Sequence, residues 1–392
     1  FGDGNQEGIV KTYGIASSSA VLVSLLFAFL GYVFPKQVIS IFNRNPEVLD
    51  AGVRYLKIAV FSYPAIALNM IVCTVLRSTR RVKLPMYVAL FTTIANAFLD
   101  YGLIFGAFGL PKLGIEGAAI ATVISSWSGP VIIYLIMALA RDDVLFAPVR
   151  EMFGFTGRMI AEFYKKAFPV ILNESLWGLG TICYNIIFSN LGYEYCAATT
   201  ILRTFENIAF SFFVGLNNAG CVMIGQDIGA GNIKRALTDA KRFMFLVPLA
   251  GVVIGAFIVF FRQPLIHIFN MGGNISDKTL AAAMGIMLVY AIELPVRNIP
   301  YVTIVGVFRS GGDTKTGAKY DFLCLWGISL PVTFLAAFVF KIPFVYVFAC
   351  SYVFEDYLKS VLCLRHFVSK RWIRPVTETG KTALKAYFAE LK

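Results

Sequence analysis

Ten apolar stretches, each long enough to cross a lipid bilayer and separated by very little soluble sequence, constrain this chain more than any other feature. They lie near 15–36, 51–76, 84–106, 115–140, 167–190, 196–224, 243–261, 279–308, 318–340 and 343–366. About 20 mostly apolar residues wound as an α-helix span a hydrocarbon core of roughly 30 Å. An all-α, polytopic membrane protein is therefore expected, with a function exercised inside or across the membrane.

Only 15% of the residues are charged, against about a quarter in soluble globular proteins, and 58% are hydrophobic. A net charge of +12 would suggest a nucleic-acid partner in a soluble chain, but here the basic residues alternate between successive connections. One set of connections holds Arg77, Arg80, Arg81 and Lys83, then Arg150, Arg158, Lys165 and Lys166, then Lys234, Arg235, Lys241 and Arg242, then Arg309, Lys315 and Lys319. The other set holds Arg44 beside Glu47 and Asp50, lone Lys112, Glu194, and Arg262 with Asp277 and Lys278. Excess Lys and Arg mark cytoplasmic loops. Both ends of the chain are thus expected on the cytoplasmic side of a cell membrane, and no nucleic-acid partner is expected. Cys73, Cys183, Cys196, Cys221, Cys324, Cys350 and Cys363 lie in or beside spans without metal-ligand spacing, and read as small apolar packing residues.

The sequence repeats. Gly2-Asp3-Gly4-Asn5 recurs as Gly229-Ala230-Gly231-Asn232, an offset of 227 that also places Phe34 on Phe261 and Ile41-Phe42 on Ile268-Phe269. At an offset of 232, Leu76-Arg77-Ser78 falls on Phe308-Arg309-Ser310 and Pro111 on Pro343. Two spans precede the turn in the second copy and none in the first. The expectation is a twelve-helix design in two pseudo-repeated six-helix lobes, with two helices, about 65 residues, absent from the N-terminus. The N-lobe would occupy 1–140 with four of its six helices, and the C-lobe 167–375 with six. Between them, 141–166 reads as a cytoplasmic, amphipathic linker with Arg150, Phe153, Phe155, Met159 and Phe163, and 376–392 as a cytoplasmic tail. Duplicated lobes that rock about a substrate site near the membrane midplane are a recurrent transporter design.

Three segments carry a family resemblance. Gly225-Gln226-Asp227-Ile228-Gly229-Ala230-Gly231-Asn232 resembles the Gly-Gln-x-x-Gly-Ala-Gly-Asn turn of multidrug and toxic compound extrusion (MATE) transporters. Asn96 to Gly106, followed by Gly114-Ile115-Glu116-Gly117-Ala118-Ala119, resembles the family's fifth and sixth helices, and Arg309-Ser310-Gly311-Gly312-Asp313-Thr314-Lys315 its tenth-to-eleventh connection. The first copy of that connection departs from the pattern: Arg77-Ser78-Thr79-Arg80-Arg81 lacks the glycines and the aspartate. The helix that supplies an acidic cation ligand in the bacterial and archaeal branches would be among those absent. The resemblance implies a secondary antiporter that exports cationic or amphipathic organic compounds in exchange for Na+ or H+. It also implies a monomer among membrane lipids, with no cofactor beyond the coupling ion.

Charged groups at membrane depth are functional candidates, because each costs about 2.5–3.5 kcal/mol on insertion scales. Asn96 and Asp100, spaced i, i+4, share a helix face. With Thr122 they form a hard-oxygen set suited to Na+, or to a proton on Asp100, and the resemblance puts the N-lobe cation site there; alternatively, Asp100 faces water at the outer interface. Glu174 is either a proton carrier, as an acidic residue on the matching helix of the NorM branch suggests, or part of a local packing pair. Arg203 with Glu206, and Glu293 with Arg297, are spaced to neutralise each other along one helix. If functional, Glu293 with Asn298 would shape a C-lobe cavity. Trp177, Tyr184, Tyr290 and Trp326 are aromatic candidates for a cleft that receives a flat organic cation. Asp356, Lys359, His267 and His366 read as interfacial.

Enzyme signatures are missing: Gly312 to Gly317 has phosphate-loop spacing, but Ala318 stands where lysine is required. The alternative to efflux is a flippase for a lipid-linked precursor, which calls for a broad basic cavity; Arg203 and Arg297 are its only buried arginine candidates.

Overall fold

The computed structural model describes residues 5–40, 46–140, 149–269 and 275–390. Gly2, Asp3, Gly4, Ile41, Phe42, Arg44, residues 141–148 of the expected linker and the side chain of Arg150 lie outside the described residues.

Among the described residues, eleven long helices carry the architecture. They are α1 (Gln6–Val33), α2 (Pro46–Ser78, its middle turn 3-10), α3 (Lys83–Phe105), α4 (Ile115–Leu139), α5 (Gly157–Leu191) and α6 (Tyr193–Gly229). They continue as α7 (Ile233–Phe269), α8 (Asp277–Gly311), α9 (Thr314–Val339), α10 (Phe344–Val368) and α11 (Glu378–Glu390). Among the described residues no strand forms; a single antiparallel bridge joins Gly312 to Ile373. Eight of these helices, α1–α4 and α6–α9, are long and apolar enough to cross a membrane. The other two expected spans fall on α5 and α10, whose apolar character is diluted by Asn173, Glu174 and Asn185 on one and by Glu355, Asp356 and Lys359 on the other. Large apolar side chains cover the outside, among them Leu22, Phe27 and Phe29 on α1 and Val253, Phe257 and Phe260 on α7. An apolar exterior of this extent suits lipid, not water; the chain is a multi-pass membrane protein.

The chain divides into two compact units, Asp3–Ala161 and Glu162–Lys392. The boundary falls within α5, which begins at Gly157 and so takes in the last part of the expected linker. In the N-terminal unit, Tyr13, Val72, Leu76, Ile133 and Met137 form the core, and the hydroxyls of Tyr13 and Tyr134 share a hydrogen bond. Gly117 brings α4 against α3 so closely that a Cβ there would lie 2.5 Å from the Leu103 carbonyl oxygen.

The C-terminal unit has the larger core, with Phe188, Phe213, Ile286, Met287, Leu294 and Phe348 buried together. Two local irregularities shape it. Pro300 in α8 has no N–H to give the carbonyl four residues back, and Ser360 of α10 donates to that orphaned Val296 oxygen at 3.2 Å. The chain is π-helical over Val302–Phe308, Phe322–Ser329 and Leu335–Val339. Such wide turns recur near functional sites.

Candidate functional site: a charged cavity and two unpartnered carboxylate oxygens

The helices of the C-terminal unit enclose a cavity of about 240 Å³. Helix α5 contributes Trp177, Thr181 and Tyr184; α6 contributes Arg203, Glu206, Asn207 and Phe210. Arg297 of α8, Leu325 of α9, and Phe348, Ser351, Tyr352 and Glu355 of α10 complete the wall. Two of the four expected aromatics, Trp177 and Tyr184, line it. Tyr290 is instead buried edge-on against Tyr352, and Trp326 donates its indole N–H to the Leu176 carbonyl at 3.2 Å.

The charges pair across helices, which corrects the expected pairing along each helix. Arg297 reaches Glu206 at 3.3 Å, not Glu293, and its guanidinium lies 4.5 Å from the centre of the Tyr352 ring. Arg203 donates to Asn185 Oδ1 at 2.5 Å and leaves Glu206 to Arg297. The physical reason is packing: α6 and α8 lie against each other. A long guanidinium gains both a carboxylate and an aromatic face by crossing the gap, where one turn along its own helix offers the carboxylate alone. Glu293 is left buried near Tyr357, with Oε2 unpartnered. Asn298 donates to the Leu294 carbonyl of its own helix at 2.7 Å. Neither Glu293 nor Asn298 is among the residues lining the cavity. Glu174 is half-exposed and held at 2.5 Å by Arg309, a partner 135 residues away instead of the local one that the packing alternative offered.

One buried ion cluster was not legible beforehand. Lys359 reaches Glu355 at 2.6 Å and Asp321 at 3.0 Å, while Tyr184 donates to Ser329 at 2.7 Å and stands 3.5 Å from Glu355. Asp356 and Lys359, read as interfacial from the sequence, are both buried in the protein. The i, i+4 spacing of Glu355 and Lys359 was the available signal; Asp321, on another helix, offered none. His366 is held within the protein. Its Nε2 lies 2.8 Å from Asp313 Oδ2, and the ring packs edge-on against Phe308.

In the N-terminal unit, Asn96 donates to Ser125 Oγ at 3.1 Å and ties α3 to α4. Thr122 turns its hydroxyl to the Ala118 carbonyl of its own helix. Asp100 is half-buried, and its Oδ1 is buried without a partner. Buried carboxylate oxygens are ordinarily hydrogen-bonded, so an orphaned one is a place where a small cation or a proton fits. Among the described residues, no group of three or more His, Cys, Asp or Glu side chains is gathered that could hold a metal.

Two turns resembling the family's are tightly built. Gly231 takes φ +81°, and Asn232 N–H donates to the Asp227 carbonyl at 2.8 Å. Gly312 takes φ +86°, and Asp313, fully buried, receives Thr316, His366 and Arg374.

The class of protein that this fold and cavity define is a multi-pass membrane transporter, not an enzyme, and comparison with known proteins agrees. The MatE family profile matches residues 1–102 and 169–335, and the chain belongs to that family. It is 26% identical over 337 residues to a probable multidrug resistance protein NorM of Thermotoga maritima, a match covering 86% of this chain and 70% of the relative. A probable multidrug resistance protein YoeA of Bacillus subtilis is 22% identical over 343 residues, covering 87% and 73%. Among solved structures, the eukaryotic MATE transporter AtDTX14 shares the fold with a TM-score of 0.80 at 15% identity, covering 98% of this chain and 84% of that one. The bent form of the Vibrio cholerae MATE transporter VcmN gives 0.72 at 18% identity, covering 95% and 87%.

Proposed function

We propose that this chain is a secondary antiporter of the multidrug-efflux kind, expelling cationic or amphipathic organic compounds in exchange for Na+ or H+ by alternating access. It would act as a monomer in the cell membrane with both ends cytoplasmic, using lobes at 1–140 and 167–375 joined by the 141–166 linker, with 376–392 as a tail. The names of the relatives support the efflux reading. The observation that carries the coupling is the orphaned Asp100 Oδ1. A carboxylate oxygen kept from water with no donor gains more from a cation or proton than a hydrated one does. Asn96, one turn away, would position α3 through Ser125, and Thr122 lies on the facing helix as the third oxygen. In the C-terminal unit, Glu293 with its unpartnered Oε2 would be the second exchangeable group; Glu174 and Glu206, each held by an arginine, would orient helices instead.

The lipid-flippase alternative calls for a broad basic surface. Both candidate arginines do line the cavity, but Arg297 is engaged by Glu206, which leaves Arg203 as the wall's one uncompensated cation among the described residues and not a basic field. The efflux reading is tested by ethidium export from energised cells carrying the protein or Asp100→Asn. Export lost on substitution at equal membrane abundance supports the assignment; unchanged export removes Asp100 from it.

A further inference from the structure

Charge accounting around the cavity leaves one group over. Four charged side chains line the wall: Arg203, Glu206, Arg297 and Glu355. Glu206 and Arg297 engage each other, and Glu355 shares Lys359, behind the wall, with Asp321. Arg203 alone has a neutral partner, the Asn185 side-chain oxygen, and meets no carboxylate among the described residues. A guanidinium offers five N–H donors in a planar fork; one amide oxygen leaves the rest of that fork available to a ligand. Beside it, Trp177 and Phe210 lie parallel within 10°, centroids 6.4 Å apart, both on the cavity wall. Positions 203, 206, 207 and 210 share one face of α6, so the fork and the aromatic surface meet the same space.

We propose that this cavity binds the carboxylate of a small aromatic acid through Arg203, with the ring against Trp177 and Phe210. The inference rests on the cavity being a substrate site of the transporter, and adds small aromatic acids, zwitterions included, to the compounds proposed above. A fork-shaped donor pairs with a carboxylate through two parallel hydrogen bonds, and Glu206 is already engaged by Arg297, so the Arg203 fork is the wall's open donor for an anionic group. The volume, about 240 Å³, is below the usual range for drug-sized ligand pockets and favours a small acid over a lipid.

The test is direct binding to the purified protein in detergent, by calorimetry, with three probes of one shape: 2-naphthoate, 2-naphthylmethylammonium and 2-naphthalenemethanol. Naphthoate should bind about tenfold or more tightly than the ammonium probe. Arg203→Gln should abolish that preference, Arg203→Lys should keep part of it, and Trp177→Ala should weaken naphthoate and the neutral alcohol alike. If Arg203→Gln does not fold, Asn185→Asp serves the same end, because a carboxylate placed beside Arg203 should repel naphthoate. Equal or tighter binding of the ammonium probe, or naphthoate affinity within about twofold of wild type in Arg203→Gln or, should that variant not fold, in Asn185→Asp, would overturn the inference. Displacement of naphthoate by dioctanoyl phosphatidic acid at lower concentration would overturn it in favour of a lipid. Binding is read without transport: naphthoate binding with the expected ranking but no efflux would count against the transporter reading and leave this one standing.

Discussion

Arg297 on α8 crosses to Glu206 on α6 at 3.3 Å and passes over Glu293, which stands one turn away on its own helix. The guanidinium also lies over the Tyr352 ring of α10, so one side chain ties three helices of the cavity wall together. Residues in such contact are energetically coupled by about 0.5–3 kcal/mol. Arg297→Met and Glu206→Gln should each lower the melting temperature in detergent, and the double variant should melt above the sum of their effects. Additive losses would show that the two side chains do not act as a pair.

Among the described residues, Lys359 is the only cation that the partly buried carboxylates of Glu355 and Asp321 contact. Removing one member of a buried ionic group costs about 3–5 kcal/mol, because the remaining charges are stranded. Lys359→Met should therefore aggregate or melt far below wild type, while the triple variant Lys359→Met, Glu355→Gln, Asp321→Asn should recover much of the loss. Size-exclusion profiles and melting curves compare them.

Gly312 has a left-handed backbone, and a Cβ added to it would lie 2.5 Å from the Arg374 carbonyl oxygen. Left-handed geometry alone costs a residue with a side chain roughly 1–2 kcal/mol. Gly312→Ala should loosen the 309–315 turn from the 370–374 segment, which it meets through Arg374 N–H to the Gly311 carbonyl at 2.6 Å. Helix α11 follows that segment and is itself pinned by Thr377 to the Gly229 carbonyl and by Glu390 to Lys234. Limited proteolysis should accordingly cut near residues 375–390 faster in the variant than in wild type.

Gly255 sets the approach of α7 to α8: a Cβ there would stand 2.3 Å from the Ala291 carbonyl oxygen. Backbone cannot yield as a flexible side chain can, and overpacking costs about 1–3 kcal/mol. Gly255→Val should lower the melting temperature, whereas Gly178→Val, at a position with nothing within 4 Å, should leave it nearly unchanged.

Helix positions were legible because lipid makes hydropathy decisive: α3 and α4 fall within a residue or two of the expected 84–106 and 115–140. Hydropathy is lower over α5 and α10, where Asn173, Glu174, Asn185, Glu355, Asp356 and Lys359 dilute the apolar signal, and α5 begins at Gly157, ten residues before the expected 167. Spacing along a helix was a poor guide to ionic partners. It reports only neighbours on the same cylinder, whereas Arg297, Arg203 and Glu174 found theirs on other helices through packing that no local pattern encodes. Lys359 shows the same limit, since half of its partnership comes from Asp321 on α9. Asp100, with Asn96 one turn before it, stands out in the sequence because charged groups are rare inside an apolar run, and the structure leaves Asp100 Oδ1 without a partner.

The most direct test of ion-coupled efflux is accumulation of ethidium by inside-out proteoliposomes under a Na+ gradient and, separately, a proton gradient. At least one gradient should drive accumulation that collapses when the gradient is dissipated and is lost in Asp100→Asn. Ethidium movement equal with and without either gradient, and equal in the variant, would contradict the account.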